Sequence, residues 1–345
     1  MRGVGLEALR DERAFALLGP GYGGGAEWTL VTPLVAGAGG EVGVWLAAYE
    51  TPGGQAERYG GRGELVEVQF PAEGVAARVT LEERGFLEGV GRIREAIAAG
   101  DVYQVNLTVR AKVDSLLSSS GGAGRHALDG GSLLARLCSR GVPRFAAWVR
   151  LPDGRELVSA SPELLFEVRG RAIRAEPMKG TAPAGERAWL EASQKDRAEL
   201  AMITDLLRDD LNRLCEARSV EVPCARRFLE LPYAVQAVSD VTGVLREGVG
   251  LREVLERVHP GGSVTGAPRE AARAIISSLE TSPRGVYCGT LGLERGDETR
   301  FALLIRTAER RRDGTWTYGV GGGITWDSDA GAELEEVRVK LGALG

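Results

Sequence analysis

The stretch Glu176-Pro-Met-Lys-Gly-Thr181 directly follows two short runs of strand-forming residues, Leu164–Val168 and Arg171–Ala175. A proline and a glycine flank Lys179 and restrict the backbone on both sides of it. A lysine held in this way can be partly desolvated, which favours its neutral amine and makes it a nucleophile. A solvated loop lysine is the ordinary alternative, so the weight given to Lys179 depends on the carboxylates and glycine loops found elsewhere.

The overall composition is that of a core-forming globular protein. The chain has 345 residues, with 43% hydrophobic and 26% charged residues and a net charge of −5. This length suits one large α/β domain or two smaller ones. The acidic balance provides no field that would attract nucleic acid or an acidic membrane, so we expect neither as a partner.

The first residues and the cysteines indicate the cellular compartment of the protein. The first residues do not form a basic and then apolar leader, and no apolar run approaches membrane-spanning length. The four cysteines are scattered without a Cys-x-x-Cys pair, which argues against a zinc site and against a disulfide framework. These features predict a cytoplasmic protein. With two histidines in the chain, the chemistry must depend on carboxylates and lysine.

The chain before Lys179 alternates between strands and helices. Residues 1–80 read as a short β-rich region between glycine clusters, continuous with a main unit over 81–345. A helical pattern begins at Leu81, and Val102–Val109 follows as a strand. Gln104 and Asn106 alternate with apolar neighbours there, so their amides face the same side of a sheet. They line either a polar cavity or an exposed face.

Four glutamates stand out by their positions. Glu163 follows a proline at the start of a strand, which fixes the direction of its carboxylate. Glu199 lies at the edge of the apolar stripe of the helix Lys195–Arg213 and needs a partner, for which a divalent cation is one candidate. Glu333 and Glu336 are one turn apart on the C-terminal helix, where they repel unless a cation or base lies between them.

Three of these glutamates also have a plain structural interpretation. Glu163 can be a capping or edge carboxylate, and the C-terminal pair can be simple surface acids. The neighbouring charges of the Glu199 helix, Asp209 and Asp210 among them, are interpreted as solvated.

A second polar region is the loop Pro260-Gly-Gly-Ser-Val-Thr-Gly-Ala-Pro268, which is predicted to open a helix through Leu279. Glycines before a helix N-terminus expose amide donors that can hold an anion, with the hydroxyls of Ser263 and Thr265 nearby. The Gly-Lys-Ser/Thr ending of a nucleotide loop is missing, so a carboxylate suits the loop better than a triphosphate.

The last strands add a buried cation and a glycine run. Val286–Leu293, Phe301–Ala308 and Trp316–Val320 are predicted to form an antiparallel meander. Arg306 lies inside an apolar strand, where an unpaired guanidinium is costly. The glycines at 321–323 let the backbone approach a ligand closely.

Taken in order, these stretches resemble the chorismate-binding enzyme family over about residues 81–345, and as a set they are highly specific. The matching stretches are Gly100–Leu107, Ala160–Glu163, Pro177–Thr181, Lys195–Glu199, Pro260–Pro268, Ile305–Thr307, Gly321–Ile324 and Glu333–Lys340. The resemblance implies an α+β fold in which two large, mostly antiparallel β-sheets face each other with helices packed outside.

Within the family, the resemblance is greatest to the aminodeoxychorismate synthase component I branch. That branch has lysine in its Pro-x-Lys-Gly-Thr motif, which matches Lys179, whereas the similar anthranilate synthases have alanine. Gln104 agrees, because relatives that add water to the ring carry a lysine at that position. Gln236 is a departure, since relatives often have an active-site histidine there.

The resemblance implies a role for each of these residues. Mg²⁺ on the ring carboxylate of chorismate is held by Glu199 and Glu336, with Glu333 adjacent. Lys179 attacks the ring while Glu163 acts as general acid for the departing hydroxyl, and ammonia then displaces the lysine. The substrate-binding set comprises Tyr287, Arg306, Gly322, Gly323, Lys340, Thr265, Ser263, Gln104, Gln236 and Thr181.

The amine source and two other activities follow from the same resemblance. Neither histidine lies in a recognisable glutaminase context, so we expect free ammonia or ammonia from a glutamine amidotransferase subunit. The first alternative is anthranilate synthase component I, which forms anthranilate and pyruvate from chorismate. The second alternative is a protein that binds chorismate without turning it over.

Overall fold

The structure is a computed structural model. It describes residues 77–115, 130–141, 143–150, 155–231, 234–295, 297–342 and 344, together with the segments 15–18, 28–32, 42–47, 56–61 and 64–66. Most of the β-rich region predicted over residues 1–80 lies outside this described part.

The strands of the described residues are numbered in chain order. They are β1 Phe15–Leu18, β2 Trp28–Thr32, β3 Val42–Ala47, β4 Ala56–Gly61, β5 Glu64–Val66, β6 Ala77–Thr80, β7 Gln104–Ser115, β8 Phe145–Arg150, β9 Glu156–Ser161, β10 Leu164–Arg169, β11 Ala172–Ala175, β12 Met178–Pro183, β13 Glu221–Leu231, β14 Ala234–Val244, β15 Gly266–Ala267, β16 Thr290–Arg295, β17 Glu298–Leu303, β18 Thr307–Arg310 and β19 Trp316–Ile324.

The helices of the described residues follow the same convention. They are α1 Arg84–Ala99, α2 Gly130–Leu137, α3 Arg187–Ala192, α4 Gln194–Asn212, α5 Leu251–Val258, α6 Arg269–Leu279 and α7 Ala330–Leu341. None of the described helices is long and apolar enough to cross a lipid bilayer.

The strands form two antiparallel sheets. The first runs in the order β15-β7-β19-β18-β9-β8-β1-β2-β5, with β6 also paired to β7. The second runs in the order β12-β14-β11-β10-β17-β16-β3-β4, with β13 also paired to β14. The predicted fold, two antiparallel sheets with helices packed on them, is confirmed. The division of the chain at residue 80 stays a prediction, although β1 pairs with β8 and β3 with β16.

The first sheet carries α1, α2, α6 and α7. In α1 the apolar residues Phe86, Val90 and Ile93 recur at helical spacing and are buried in the core of this sheet. The helix ends at Gly100, whose φ of 84° is strained for any residue with a side chain. The chain then turns directly into β7, the longest strand of the first sheet.

The second sheet carries α3 and α4. The helix α4 begins where the hydroxyl of Ser193 accepts a hydrogen bond from the backbone N–H of Asp196, at 3.2 Å. Its apolar stripe, which includes Leu200, Ile203 and Leu211, is buried. The stripe therefore orients the polar edge of α4, which carries Glu199, towards β12 and Lys179.

The chain crosses between the sheets at two neighbouring points. Pro162 and Glu163 join β9 of the first sheet to β10 of the second, and residues 304–306 join β17 of the second to β18 of the first. The single strand predicted over Phe301–Ala308 is therefore wrong, because the chain changes sheets within it. Arg306 has a φ of 51° at this crossing.

Two further predictions of elements are corrected. The strand predicted over Val286–Leu293 begins only at Thr290, since the residues before it form a turn. The glycine loop at 260–268 does not lead directly into the first turn of α6. It forms a 3-10 turn and then the short strand β15, which pairs with β7 and separates the glycines from the helix N-terminus.

Candidate functional site

Glu163 lies at the crossing from β9 to β10 and is 5% exposed. The hydroxyl of Ser263 donates a hydrogen bond to its carboxylate, at 2.9 Å. Burial raises the pKa of Glu163 to about 7, although the Ser263 hydrogen bond, the charge of Lys179 and the backbone N–H of Met178 all act in the opposite direction. A carboxyl group with this pKa can donate a proton near neutral pH, which is what a general acid requires.

Lys179 lies on β12 and points into the space between the two sheets. A register shift between Met178 and Thr181 interrupts its pairing with β14. The Nζ of Lys179 lies 3.4 Å from the carboxylate of Glu199 on α4. It also lies against Gly323 of β19, where an added Cβ would be 2.9 Å from this Nζ. The nucleophile predicted from the sequence is therefore in contact with both sheets.

Two buried glutamines present unpaired amide atoms. Gln104 is 1% exposed and packs against Gly323, and both of its amide atoms lack a hydrogen-bond partner among the described residues. Gln236, opposite Thr181 in the pairing of β12 with β14, has a buried amide oxygen without such a partner. Since buried polar atoms are almost always hydrogen-bonded, these amides indicate room for a polar ligand.

The C-terminal helix α7 supplies two carboxylates and a lysine. Glu333 is buried and accepts hydrogen bonds from Ser328, at 2.6 Å, and from Lys195 of α4, at 3.3 Å. Glu336 forms an ion pair with Lys340, at 2.7 Å. Burial would raise the pKa of Glu336, but Lys340 and two further lysines outweigh burial and lower it.

The glycine run of β19 brings the backbone close to these groups. Lys340 donates a hydrogen bond to the carbonyl of Gly321, at 2.7 Å. An added Cβ at Gly322 would lie 3.2 Å from the carboxylate of Glu333. Only glycine leaves this space open, so the run gives the backbone of residues 321–323 access to anything bound between α7 and Lys179.

Each glutamate of the predicted metal set is paired with its own lysine: Glu199 with Lys179, Glu333 with Lys195 and Glu336 with Lys340. Carboxylate oxygens are the ligands that Mg²⁺ prefers, so the donor chemistry fits that ion. In the part of the chain that the structure describes, however, no three acidic, histidine or cysteine side chains converge closely enough to hold a metal ion. In this structure each carboxylate is therefore paired with a lysine and does not share a ligand position with the other two.

The loop at 260–268 is fixed from behind by a buried arginine. Arg284 is 2% exposed and donates hydrogen bonds to the carbonyls of Val264, at 2.6 Å, and Asn106, at 2.8 Å. It also forms an ion pair with Glu280, at 2.6 Å, and Glu280 accepts from the backbone N–H of Thr108. Arg284 thereby sets the distance between this loop and β7.

The remaining predicted residues are placed as follows. Thr265 is buried, and its hydroxyl donates to the carbonyl of Gly261 at 2.9 Å. Tyr287 is 5% exposed, and its ring fills the space beside Gly319. Arg306 is half-buried and forms no ion pair with any described residue. Thr181 is exposed. Within the described chain, no hydrogen bond or ion pair joins these four side chains to Lys179 or to the three glutamates of the predicted metal set.

Sequence reasoning missed several residues and misjudged one. Lys195 begins the Lys195–Glu199 motif and lies one helical turn before Glu199, a spacing that could have identified it. Arg284 lies four residues after Glu280, a spacing that could also have suggested their pairing, but its contacts with Val264 and Asn106 gave no signal in the sequence. Asp210, interpreted as a solvated charge, is 3% exposed and pairs with Arg257 and Arg269. It lies with Glu163 in the wall of a cavity of about 20 Å³.

Comparison with known proteins identifies the family of the chain. A family model described as chorismate binding enzyme matches residues 56–344, most of the chain. The chain belongs to the chorismate-binding enzyme family. Lys179, Glu163 and the three glutamates thus lie in the region that this family shares.

Individual relatives of this chorismate-binding enzyme carry different names. Anthranilate synthase component 1 of Streptomyces coelicolor is 36% identical over 273 residues, covering 76% of this chain and 51% of the relative. Aminodeoxychorismate synthase component 1 of Klebsiella aerogenes is 34% identical over 274 residues, covering 77% and 57%. The chain spans little more than half the length of these relatives, and their similar identities leave the reaction open between the two.

A solved structure supports the fold. The menaquinone-specific isochorismate synthase of Escherichia coli aligns with a TM-score of 0.74 at 17% identity, covering 96% of this chain and 87% of that chain. At this level of identity the likeness concerns the fold, and the choice of reaction must come from the side chains of the site.

Proposed function

We propose that this enzyme aminates chorismate to 4-amino-4-deoxychorismate with ammonia, through Lys179 as nucleophile. The observation that carries the proposal is the position of Lys179, which lies between Glu199 and the backbone of Gly323. The charge of Lys179 also acts on the buried carboxyl group of Glu163, whose pKa is about 7. Lysine is the residue that distinguishes this motif from that of anthranilate synthases. The product belongs to the route to para-aminobenzoate and folate.

The chain's own groups account for the steps of the reaction. Lys179 forms a bond to the substrate ring as the ring carbon–oxygen bond breaks, and Glu163 gives its proton to the hydroxyl, which leaves as water. Ammonia then forms the new carbon–nitrogen bond and releases the lysine amine. Glu163 is restored by the proton lost during the two attacks at nitrogen.

Substrate charge would be balanced from both sheets. Arg306, Lys340 and the open backbone at Gly322 and Gly323 are suited to the two carboxylates of chorismate. The unpaired amide of Gln104 and the unpaired amide oxygen of Gln236 are available for its polar groups. The polar residues Ser263, Thr265, Thr181 and Tyr287 complete the proposed pocket. When bound to Glu199, Glu333 and Glu336, Mg²⁺ would neutralise the ring carboxylate.

The alternative reaction has a specific observation in its favour, since a relative at 36% identity is an anthranilate synthase component 1. The deciding experiment incubates the purified protein with chorismate, Mg²⁺ and ammonium and identifies the product by liquid chromatography and mass spectrometry. We expect aminodeoxychorismate. Anthranilate with pyruvate would contradict the proposal, and binding of chorismate without any product would identify a non-catalytic protein.

The covalent step has its own test. Without ammonium, the intact protein should gain the mass of one chorismate less one water, and Lys179→Ala should abolish both this adduct and the product. Lys112, which pairs with Asp114 on the surface of β7, provides the matched control, because Lys112→Ala removes the same charge outside the site. Full amination by Lys179→Ala would remove the lysine from the mechanism.

A further inference from the structure

Lys195 connects two helices that pack on different sheets. It lies in the first turn of α4, on the second sheet, and its Nζ reaches Glu333 of α7, on the first sheet, at 3.3 Å. Its side chain is about half exposed, whereas the carboxylate of Glu333 is buried. The contact therefore spans the opening between the sheets from the solvent side.

Lys195 also differs from the other two lysines of the cluster. Lys179 has the role of nucleophile, and Lys340 holds the carbonyl of Gly321 next to the substrate space. Lys195 has no part in the proposed chemistry. Burial lowers the pKa of Lys195, but the nearby charges of Glu333, Glu199 and Glu336 outweigh burial and raise it. Its ammonium group lies 3.3 Å from Glu333, and the charges of the other two carboxylates of the predicted metal set also act on it.

The charges of the cluster show what this ammonium does. Three glutamates and three lysines cancel, so the ligand-free cluster is formally neutral. Each carboxylate can bind a common cation only when it gives up its contact with its lysine. Lys195 is the one whose side chain can move into solvent most readily, because it is about half exposed whereas the side chains of Lys179 and Lys340 are more buried.

We propose that Lys195 is a resident counter-cation that holds Glu333 until a divalent cation displaces it. The proposal rests on the proposed function in taking Glu199, Glu333 and Glu336 as the cation ligands. Removing the charge of Lys195 should strengthen cation binding, since the incoming ion no longer competes with an ammonium group for Glu333.

The experiment measures cation affinity directly, without substrate. Mn²⁺ serves as the probe, and free Mn²⁺ is followed by electron paramagnetic resonance during titration of the protein, with Mg²⁺ as competitor. We expect Lys195→Met to bind Mn²⁺ on the order of fivefold more tightly than the wild type, because a unit charge several ångströms from a divalent ion in water opposes it by roughly 1 kcal/mol.

Three variants serve as controls. Lys195→Arg keeps the charge and should bind Mn²⁺ within about twofold of the wild type. Lys112→Met makes the same change in net charge on the surface of β7 and should leave the affinity unchanged. Glu333→Gln should weaken binding, which shows that the titrated ion occupies this cluster. Circular dichroism spectra confirm that each variant is folded.

The outcomes separate this inference from the proposed reaction. Unchanged or weaker binding by Lys195→Met, equal strengthening by Lys112→Met, or no Mn²⁺ binding by any variant would each overturn the role of Lys195. None of these results depends on the product formed from chorismate. Conversely, formation of anthranilate by the wild type would overturn the proposed reaction and leave the cation competition measurable.

Discussion

At the scale of single residues, the site depends on groups whose protonation differs from that of free side chains. Glu163 is buried at a sheet crossing, beside one hydroxyl and one lysine, and its pKa of about 7 follows from that position. The sequence identified the residue, because a proline before it fixes its direction. The sequence could not indicate the burial, since the walls around Glu163 come from α4 and the distant loop at 260–268.

The raised pKa of Glu163 predicts a cost in stability. With a pKa near 4.5 when unfolded and about 7 when folded, this group makes the protein less stable as pH rises from 4.5 to 7, after which the loss is constant. The loss amounts to about 3 kcal/mol. Glu163→Gln, which keeps an acceptor for Ser263, should therefore be more stable than the wild type at pH 8 but similar at pH 4.5. Urea unfolding of both proteins at both pH values tests this. The same difference in the free energy of unfolding between the two proteins at pH 4.5 and at pH 8 would contradict it.

The hydroxyl of Ser263 should tune the acid. Glu163 must be protonated to act as a general acid, so kcat/KM should fall as pH rises through its pKa of about 7. Ser263→Ala removes a hydrogen bond that stabilises the carboxylate, which raises this pKa and moves the fall to higher pH. The measurement is the pH profile of product formation. Ser219→Ala, in a surface turn, is the matched control and should leave the profile unchanged. A shift of the Ser263→Ala profile to lower pH would refute the assignment.

At the scale of elements, the strand β19 and the helix α7 determine the shape of the site. The glycines of β19 were recognised from the sequence as points of close backbone approach, and the structure places Gln104, Lys179 and Glu333 against them. The change of sheet within residues 304–306 was not predicted, because an apolar run looks the same whether it continues in one sheet or passes to another.

Gly323→Ala should impair catalysis without unfolding the protein. The added methyl group would collide with the amide of Gln104 and lie 2.9 Å from the Nζ of Lys179. Displacing the nucleophile by about 1 Å should reduce kcat on the order of 100-fold. Gly91→Ala on the exposed face of α1, where a Cβ meets nothing within 4 Å, is the control and should leave kcat unchanged. Steady-state kinetics with both variants test this, and normal turnover by Gly323→Ala would show that Lys179 acts from another position.

Arg284 connects the loop at 260–268, the strand β7 and Glu280 through buried contacts. Arg284→Met leaves Glu280 as a buried carboxylate without its guanidinium, which should destabilise the fold by about 3–5 kcal/mol. The double variant Arg284→Met/Glu280→Leu removes both charges and should recover part of this loss. Thermal unfolding of the two variants is the measurement. Equal stability of the single and the double variant would mean that the pair does not act as a unit.

At the scale of the whole molecule, the proposed reaction needs a source of ammonia, and three of the four cysteines are poor candidates for the nucleophile of a glutaminase. Burial raises the pKa of Cys138 to about 12 and the pKa values of Cys215 and Cys288 to about 11, so these thiols are poor nucleophiles at neutral pH. Length and composition indicated a globular protein with a large core. The assignment of the family needed the ordered set of motifs, and the pairing of each glutamate with a lysine needed coordinates.

The purified chain should therefore use ammonium and not glutamine. We expect product with chorismate, Mg²⁺ and ammonium salts, and none when glutamine is the sole nitrogen source. Activity with glutamine should appear when a glutamine amidotransferase subunit is added. Glutamine-dependent product from the chain alone, after removal of free ammonium, would contradict this expectation. Product formation is followed by chromatography, with ammonium release measured in parallel.

The pairing of β7 with β19 has a consequence for how activity is acquired. Gly323 lies opposite Asn106 in this pairing, so two segments more than 200 residues apart must meet before the space between them exists. Contacts of such high sequence separation close slowly, because the entropy of the intervening loop is lost before any interaction compensates for it. During refolding, helices and local hairpins should therefore form first, and catalytic activity should return only after β7 and β19 have paired.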